Sequence, residues 1–236
     1  MMLGIMACAN TRSTTPTTGT ATVTTAPVTT DDTEAKLRDQ NWISPAKVEI
    51  GNYYPGGRAE YNIRVHLGAH TSNKAWKVTT DPGETKVVFQ LTDALYQGSL
   101  SNVVTLTSDL AGEKLTTVSY NSDTRELAIG GFQPQATRTL NLSYYSPATM
   151  QISYRVPDHP LEGYTTAPDA AIGWVIIADP APVLQPWETK EIQVALAMPK
   201  DASTDLKKWE FWISMIVVSG DTIQTEVAVR WLVTMK

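Results

Sequence analysis

The stretch from Trp209 to Met235 carries the clearest alternation of hydrophobic and polar positions in the chain. Strict alternation is typical of a half-buried β-strand, so the stretch predicts two long strands joined by a turn at residues 219–221. In the second strand one parity is apolar and the other is polar. The apolar set consists of Ile223, Val227, Val229, Trp231 and Val233.

The first of these two strands is apolar on both of its faces. One parity holds Trp209, Phe211, Ile213, Met215 and Val217, and the other holds Trp212, Ile216 and Val218. A strand that lines a single core needs only one apolar face. The second face therefore predicts a cover, supplied either by another part of this chain or by a partner.

Shorter alternating segments fill the chain from residue 42 onwards. They predict strands at 44–50, 59–67, 87–91, 103–107, 114–120, 126–129, 138–145, 149–156, 173–178 and 192–198. Polar and Gly-rich turns separate them, and residues 93–97 are the one place between 70 and 147 where a helix could begin. The pattern predicts an all-β fold.

The strands predicted after residue 147 are too few for an immunoglobulin-type sandwich, which needs about seven. The two strands before residue 67 supply the difference. We therefore predict one sandwich from residues 42–69 plus 148–236, with residues 70–147 inserted as a second, small β-domain. Two domains in tandem are the alternative arrangement.

Residues 1–41 read as an N-terminal arm that is rich in threonine between residues 11 and 30. Such a segment has too little apolar surface to offset the entropy of ordering the chain. Two interpretations remain open. The arm is either a stalk that holds a domain away from a surface, or a segment that becomes ordered by lying along a neighbouring subunit.

Residues 1–9 resemble the end of a bacterial lipoprotein signal, in which the cysteine is lipidated after cleavage. Cys8 would be the lipidated residue, and Ala7 and Ile5 suit the pattern, whereas Met6 departs from it. No Lys or Arg precedes the cysteine. The alternative is an uncleaved arm with an incidental cysteine.

Several segments resemble immunoglobulin-like domains of bacterial and archaeal surface proteins and of phage structural proteins. The later strands and their proline turn are matched by Trp174-Val175-Ile176-Ile177, Pro180, Val183-Leu184-Gln185-Pro186, the run from Glu188 to Val194, and Met198-Pro199. The early strands are matched by Tyr54-Pro55-Gly56-Gly57 and the run from Tyr61 to Val65. Where those domains usually have Gly or Ser after the turn proline, this chain has Trp187. The resemblance implies a sandwich fold and no catalytic residues.

Charge and cysteine content narrow the functional classes. The formal net charge is −5, from 19 basic and 24 acidic residues, which argues against a nucleic-acid binder that neutralises phosphates. Cys8 is the single cysteine, so neither an intrachain disulfide nor a cysteine-based metal site is expected. No apolar run reaches the length of a transmembrane helix.

Catalytic and metal-binding patterns are weak. His66 and His70 are close in sequence, but a metal site needs a third ligand, and we expect both to be solvated. His159 is expected to be a loop residue. Since no nucleophile, phosphate loop or paired acid stands out, we predict a protein that is not an enzyme and has no cofactor or metal.

Aromatic and apolar residues at positions that look exposed predict an interaction surface. The candidates are Tyr53, Tyr54, Tyr164, Trp187, Trp212, Ile216 and Val218. Together such side chains would suit a protein partner or a carbohydrate. The alternative is that the small domain or the arm covers them.

These observations favour a non-enzymatic structural or interaction protein of an external assembly. Examples are a capsid or tail decoration of a phage and a component of a cell-surface layer or filament, with other subunits as partners in a homo-oligomer. The alternative is a lipid-anchored module that binds carbohydrate or protein. Either role places the protein on a virion or cell surface, outside the cell.

Overall fold

A computed structural model describes the backbone of residues 22–25, 37–202, 205–219 and 222–236, with side chains for 37–202, 205–217 and 225–236. The regular secondary structure of this part consists of β-strands and three short 3₁₀ turns, at Tyr96–Gly98, Leu100–Asn102 and Asp169–Trp174. The all-β prediction is confirmed. Of the helix considered at residues 93–97, only the turn Tyr96–Gly98 forms, and Gln97 within it has a left-handed backbone that an α-helix does not allow.

In chain order, the first strands are β1 (Thr22–Thr25), β2 (Trp42–Ser44), β3 (Lys47–Tyr53), β4 (Arg58–His66), β5 (Thr71–Thr79), β6 (Lys86–Gln90), β7 (Val103–Ser108), β8 (Thr116–Asn121) and β9 (Glu126–Gly130). They are followed by β10 (Thr137–Tyr145), β11 (Ala148–Arg155), β12 (Thr165–Thr166), β13 (Val175–Ile177), β14 (Val183–Leu184), β15 (Thr189–Ala197), β16 (Lys208–Ser219) and β17 (Thr222–Met235). The alternating segments of the sequence account for most of the longer strands, whereas they do not predict β1, β2, β5, β12 and β14.

Two sheets face each other to form what we call the large sandwich. In the described part, the first sheet has seven strands in the order β1-β3-β17-β16-β11-β14, with β12 also beside β16. The second has the order β13-β15-β4-β2. Most neighbours are antiparallel, but β17 runs parallel to β3 and β12 runs parallel to β16. The layered arrangement is that of a β-sandwich.

The inward face of β16 and β17 forms the centre of the large core. Trp209, Phe211, Ile213, Met215 and Val217 are all 0% exposed, as the alternation predicted. They pack with Val229, Trp231 and Val233 of β17 and with residues of β3, β4, β11 and β15. Each large apolar side chain buried in this way contributes about 1.5–3 kcal/mol to folding.

Residues 71–145 form a second pair of sheets, which we call the small sandwich. Its sheets have the orders β5-β10-β7 and β6-β9-β8. A separate hydrophobic cluster lies between them, made from residues such as Phe89, Leu127, Leu140, Leu142 and Tyr144. The sequence pattern does not predict strand β5, because most of its residues are polar and its large apolar residues are Trp76 and Val78.

The chain passes between the two sandwiches at two adjacent points, residues 67–71 and 145–148. The amide of Ser146 donates to the carbonyl of His70, at 3.3 Å, and so joins the two connections. The turn around Trp187 contacts the first of them, since its amide donates to the carbonyl of Leu67 at 2.7 Å.

Candidate functional site

The tyrosine pair expected on the surface lies largely inside the large sandwich. Tyr53 is 0% exposed, and its hydroxyl donates to the carbonyl of Leu196 at 2.8 Å and of Gly57 at 2.9 Å while accepting from the amide of Met198. Burial raises the pKa of Tyr53 to about 12. Tyr54 is half-buried. The expectation that Tyr53 is exposed is wrong. The even positions Val48 and Ile50 of β3 face the core, but Asn52 has a positive φ of 53° and breaks the alternation, so that Tyr53 also lies inside.

Trp187 contacts both sandwiches and the segment that precedes β2. Its indole lies 4.8 Å from the ring of Tyr145 and 5.4 Å from that of Tyr96, centroid to centroid. The guanidinium of Arg38 lies over the ring at 5.2 Å, and the indole Nε1 donates to Asp39 at 2.8 Å. Trp187 is therefore half-buried by its own chain rather than presented on an open surface.

The backbone of Trp187 is in the left-handed region, with φ of 63°. A bulky residue adopts this conformation only at an energetic cost, which glycine would avoid. Gln97, across from Trp187, also has a positive φ of 51°. Strained positions of this kind are concentrated at functional sites.

A cleft of about 580 Å³ opens between the 94–97 loop of the small sandwich and the 185–188 turn of the large sandwich. We call it the junction cleft. Tyr96, Gln97, Gln185, Trp187 and Glu188 are among its lining residues. The amide of Gln97 donates to the hydroxyl of Tyr96 at 3.0 Å, and Glu188 accepts from the backbone amide of Gln185 at 2.7 Å. Ligand sites commonly form between two such units.

The two histidines that the sequence placed in solvent are buried. His66 is 5% exposed, stacks on Trp42 with a ring separation of 4.9 Å, and bonds through its two ring nitrogens to Thr189 and to the carbonyl of Arg38. His70 is 6% exposed. The prediction of solvated histidines is wrong, because His66 packs against Trp42 and the segment before it, and His70 lies at the connection between the two sandwiches. His159 is a loop residue, as expected, and is exposed.

His70 belongs to a buried polar network between the two sandwiches. Its Nδ1 lies 3.0 Å from the carbonyl of Ser146, whose hydroxyl is 2.8 Å from that of Ser72, which donates to Asp93 at 2.8 Å. The carboxylate thus pairs with a serine and does not orient the imidazole. This order of contacts differs from a nucleophile–base–acid relay, in which the acid bonds to the base.

The outer face of β16 carries a buried carboxylate that the sequence did not single out. The Glu210 side chain is 0% exposed, and its Oε1 lies 2.7 Å from Arg230 Nε and 2.5 Å from Trp212 Nε1. Its Oε2 accepts from the amide of Leu161 at 2.6 Å. This contact brings the 157–164 loop over the strand, so part of the predicted cover comes from the same chain.

Predicted surface residues lie on or beside this outer face. Trp212 stands opposite Arg230 on the paired strand β17, and the Arg230 guanidinium is 6.0 Å from the indole ring. Tyr164 lies 5.7 Å from the ammonium of Lys208. Ile216 is half-buried further along β16, and the side chain of Val218 falls outside the described residues. The structure thus groups Tyr164 and Trp212 near Glu210 and leaves Trp187 at the junction cleft.

The remaining expectations concern metals, membranes and Cys8. Among the described residues, no group of three or more His, Cys, Asp or Glu side chains could hold a metal ion. None of the helices in the described part is long and apolar enough to cross a membrane. Cys8 lies outside the described residues.

A signal for Glu210 was present in the sequence, as an acid on the parity of β16 that also carries Trp212 and Ile216.

No protein-family model and no curated protein matches the chain. Among solved structures, the chain is similar to a family 123 glycoside hydrolase from Clostridium perfringens described for glycolipid glycan hydrolysis. The identity is 9%, the match covers 79% of this chain and 22% of that chain, and the TM-score is 0.26. The chain therefore spans about a fifth of the hydrolase. This finding corrects the expectation that the chain is not an enzyme, although a likeness at this TM-score assigns it no reaction or substrate.

Proposed function

We propose that this chain is an interaction subunit of an external assembly, such as a phage decoration or a cell-surface layer, and that its N-terminal arm links neighbouring copies. The observation that supports the proposal is the pairing of arm residues Thr22–Thr25 with β3. These four residues add an antiparallel strand at the edge of the seven-stranded sheet. An exposed sheet edge presents unpaired amides and carbonyls, and a strand from another copy satisfies them equally well.

The length of the arm allows exchange between copies. Residues 26–36 separate β1 from Leu37, and with full extension they span about 40 Å. Pairing within one chain and between two chains makes the same hydrogen bonds, so their balance depends on concentration. A tethered segment competes at an effective concentration on the order of 1 mM. When copies are held side by side in an assembly, the local concentration of a neighbouring arm at the β3 edge exceeds that value.

The same proposal treats the large sandwich as an immunoglobulin-like host and residues 70–147 as a domain inserted into it. Two separate hydrophobic clusters support this division. The buried residues of one come from 48–67 and from 148–233, and those of the other come from 78–144. The two connections between the sandwiches lie side by side, which is the geometry that an insertion at one loop requires.

Disulfide trapping tests the exchange. Thr24 is directly opposite Glu49 in the paired strands, and Cys8 is replaced by serine in every variant. We expect a chain with T24C and a chain with E49C, mixed at high concentration, to form a covalent dimer. A mixture of T24C with E60C is the matched control, because Glu60 is also an exposed strand glutamate but lies on β4 in the other sheet.

Each outcome of the trapping experiment decides the proposal. Faster dimer formation with E49C than with E60C supports exchange between copies. If T24C and E49C close only within a single doubly substituted chain, the arm is an internal strand and does not link copies. If that double variant also fails to close, the arm does not use the β3 edge, and the proposal loses its basis.

A further inference from the structure

We propose that the junction cleft is a binding site for a neutral carbohydrate, of one or two sugar rings. The inference concerns a different surface from the β3 edge, so it stands whether or not copies exchange arms. It begins from the size of the cleft, about 580 Å³, which lies within the usual range of small-molecule sites. The cleft is open to solvent along the junction of the two sandwiches, where a ligand can enter.

The chemistry of the lining determines the class of ligand. Tyr96 and the part of the half-buried Trp187 that lines the cleft offer aromatic surface, while Gln97 and Gln185 offer side-chain amides that both donate and accept hydrogen bonds. A sugar ring has the matching properties, since it combines an apolar C–H face with hydroxyls that donate and accept. Aromatic rings with a polar edge suit such amphipathic ligands.

The charge of the residues that line the cleft favours a neutral sugar over an acidic one. None of the residues that line the cleft is a Lys or an Arg, and Glu188 places a carboxylate at its edge. The nearby Arg38 lies over the ring of Trp187, stacked on the indole. A phosphorylated or carboxylated ligand would therefore meet a negative charge without a cation among the lining residues to compensate it.

The two walls hold their side chains in defined positions. Gln97 and Trp187 both have left-handed backbones, and Trp187 is fixed further by its bond to Asp39 and by the ring of Tyr145. The Tyr96 carbonyl accepts from the side chain of Asn102 at 2.7 Å, which fixes the opposing loop. A site whose walls are fixed in advance loses less entropy when a ligand binds.

The test uses the full chain and a panel of neutral methyl glycosides of glucose, galactose, mannose and N-acetylglucosamine. Saturation-transfer NMR detects contact, and isothermal titration gives Kd. We expect one or more of the panel to bind with Kd on the order of 1 mM. Tyr96→Ala and Gln185→Ala should each weaken binding by about tenfold, because they remove a ring surface and an amide from the cleft.

Gln193→Ala is the matched control for Gln185→Ala, because Gln193 is also exposed but lies on β15 and donates to Glu60. It should leave Kd unchanged. Thermal unfolding of each variant shows whether the fold is retained, and Gln185→Ala, at an exposed turn position, keeps the test valid if Tyr96→Ala unfolds. Binding that is lost with Gln185→Ala and kept with Gln193→Ala supports the site.

Three results would overturn the inference. The first is that no glycoside of the panel binds at ~10 mM, about ten times the expected Kd. The second is that binding is indifferent to both Tyr96→Ala and Gln185→Ala, which would place the sugar elsewhere. The third is that glucuronic acid binds and the neutral glycosides do not, which would contradict the charge argument.

Discussion

The large and the small sandwich each bury a carboxylate beside an arginine, and they do so in different ways. In the large sandwich, Glu210 accepts from neutral donors as well as from Arg230, whose side chain is 36% exposed. In the small sandwich, the side chains of Glu113 and Arg138 are both 0% exposed, and Glu113 Oε1 is 3.3 Å from Arg138 Nε, an ion contact rather than an aligned hydrogen bond. The same oxygen accepts from the amide of Gln133 at 2.9 Å.

The difference lies in how each charge is compensated. Arg138 donates to the carbonyl of Gln133 at 2.7 Å, yet its second Nη atom and Glu113 Oε2 are buried without a hydrogen-bond partner in the described part. Two fully desolvated charges depend strongly on each other. Glu210 depends less on its arginine, because both of its oxygens accept from neutral donors, the indole of Trp212 and the amide of Leu161, whereas in Glu113 only Oε1 has such a donor.

The largest expected effect is in the small sandwich. Arg138→Met should lower the free energy of unfolding by about 3–5 kcal/mol, because it leaves the buried carboxylate of Glu113 without its cation, with the amide of Gln133 as its remaining partner. Chemical denaturation measures the change. The double variant R138M/E113L should recover most of the loss, since an apolar pair of similar volume replaces the ions. A loss below about 1 kcal/mol in R138M would show that water reaches Glu113.

Glu210→Gln should have a smaller effect, about 1–3 kcal/mol, because the amide oxygen still accepts from a neutral donor while the charge facing Arg230 is lost. Hydrogen exchange should also become faster in residues 157–164, which Glu210 holds through Leu161. Glu226→Gln is the control, since Glu226 pairs with Arg155 at an exposed position on the same face. If both variants behave alike, burial of Glu210 contributes nothing.

Two buried tyrosines extend the comparison to high pH. Burial is the largest cause that raises the pKa of Tyr53 and of Tyr144 to about 12, and for Tyr144 the charge of Asp93 comes second. Both folded pKa values exceed the unfolded value of about 10, so the stability they contribute is complete below pH 10 and is lost as pH rises through about 12. Phenolate absorbance should show both groups titrating late in the wild type, together with Tyr154, whose pKa burial also raises.

Substitution of Asp93 distinguishes the pKa of Tyr144 from that of Tyr53. Asp93→Asn should lower the pKa of Tyr144 and leave that of Tyr53 unchanged, because Asp93 contributes to the shift of Tyr144 alone. Tyr53→Phe and Tyr144→Phe identify which late step belongs to which residue. Equal responses of both groups to Asp93→Asn would contradict the assignment of causes.

The smallest effect is expected at the exposed pair of Lys190 and Asp179, whose Nζ and Oδ2 are 2.8 Å apart. The hydrogen bond from Lys190 lowers the pKa of Asp179. A carboxyl group whose pKa is lower in the folded than in the unfolded state stabilises the fold at pH values above the unfolded pKa. This contribution is lost as pH falls through the folded pKa. Asp179→Asn should therefore lower the melting temperature slightly at neutral pH, and the difference from the wild type should disappear in acid. A difference that grows in acid would have the wrong sign.

The candidate sites could be predicted from the sequence only in part. Trp187 was singled out because it replaces the usual Gly or Ser, and it does line the junction cleft. Tyr96 and Gln97, on the opposite wall, were not, because nothing in their local pattern shows that the loop meets a turn about ninety residues later. Glu210 was missed because a glutamate on an outward parity normally faces water.

What the sequence determined by itself is the all-β class and the inward parity of the long strands, because period-two alternation is a local property of an extended backbone. Only the tertiary structure decided that β3 lies parallel to β17, that Glu210 and His70 are buried, and that Trp187 joins two sandwiches. Each of these depends on contacts between segments far apart in the chain. Local preference cannot specify such contacts, because burial is decided by what packs on top of a residue.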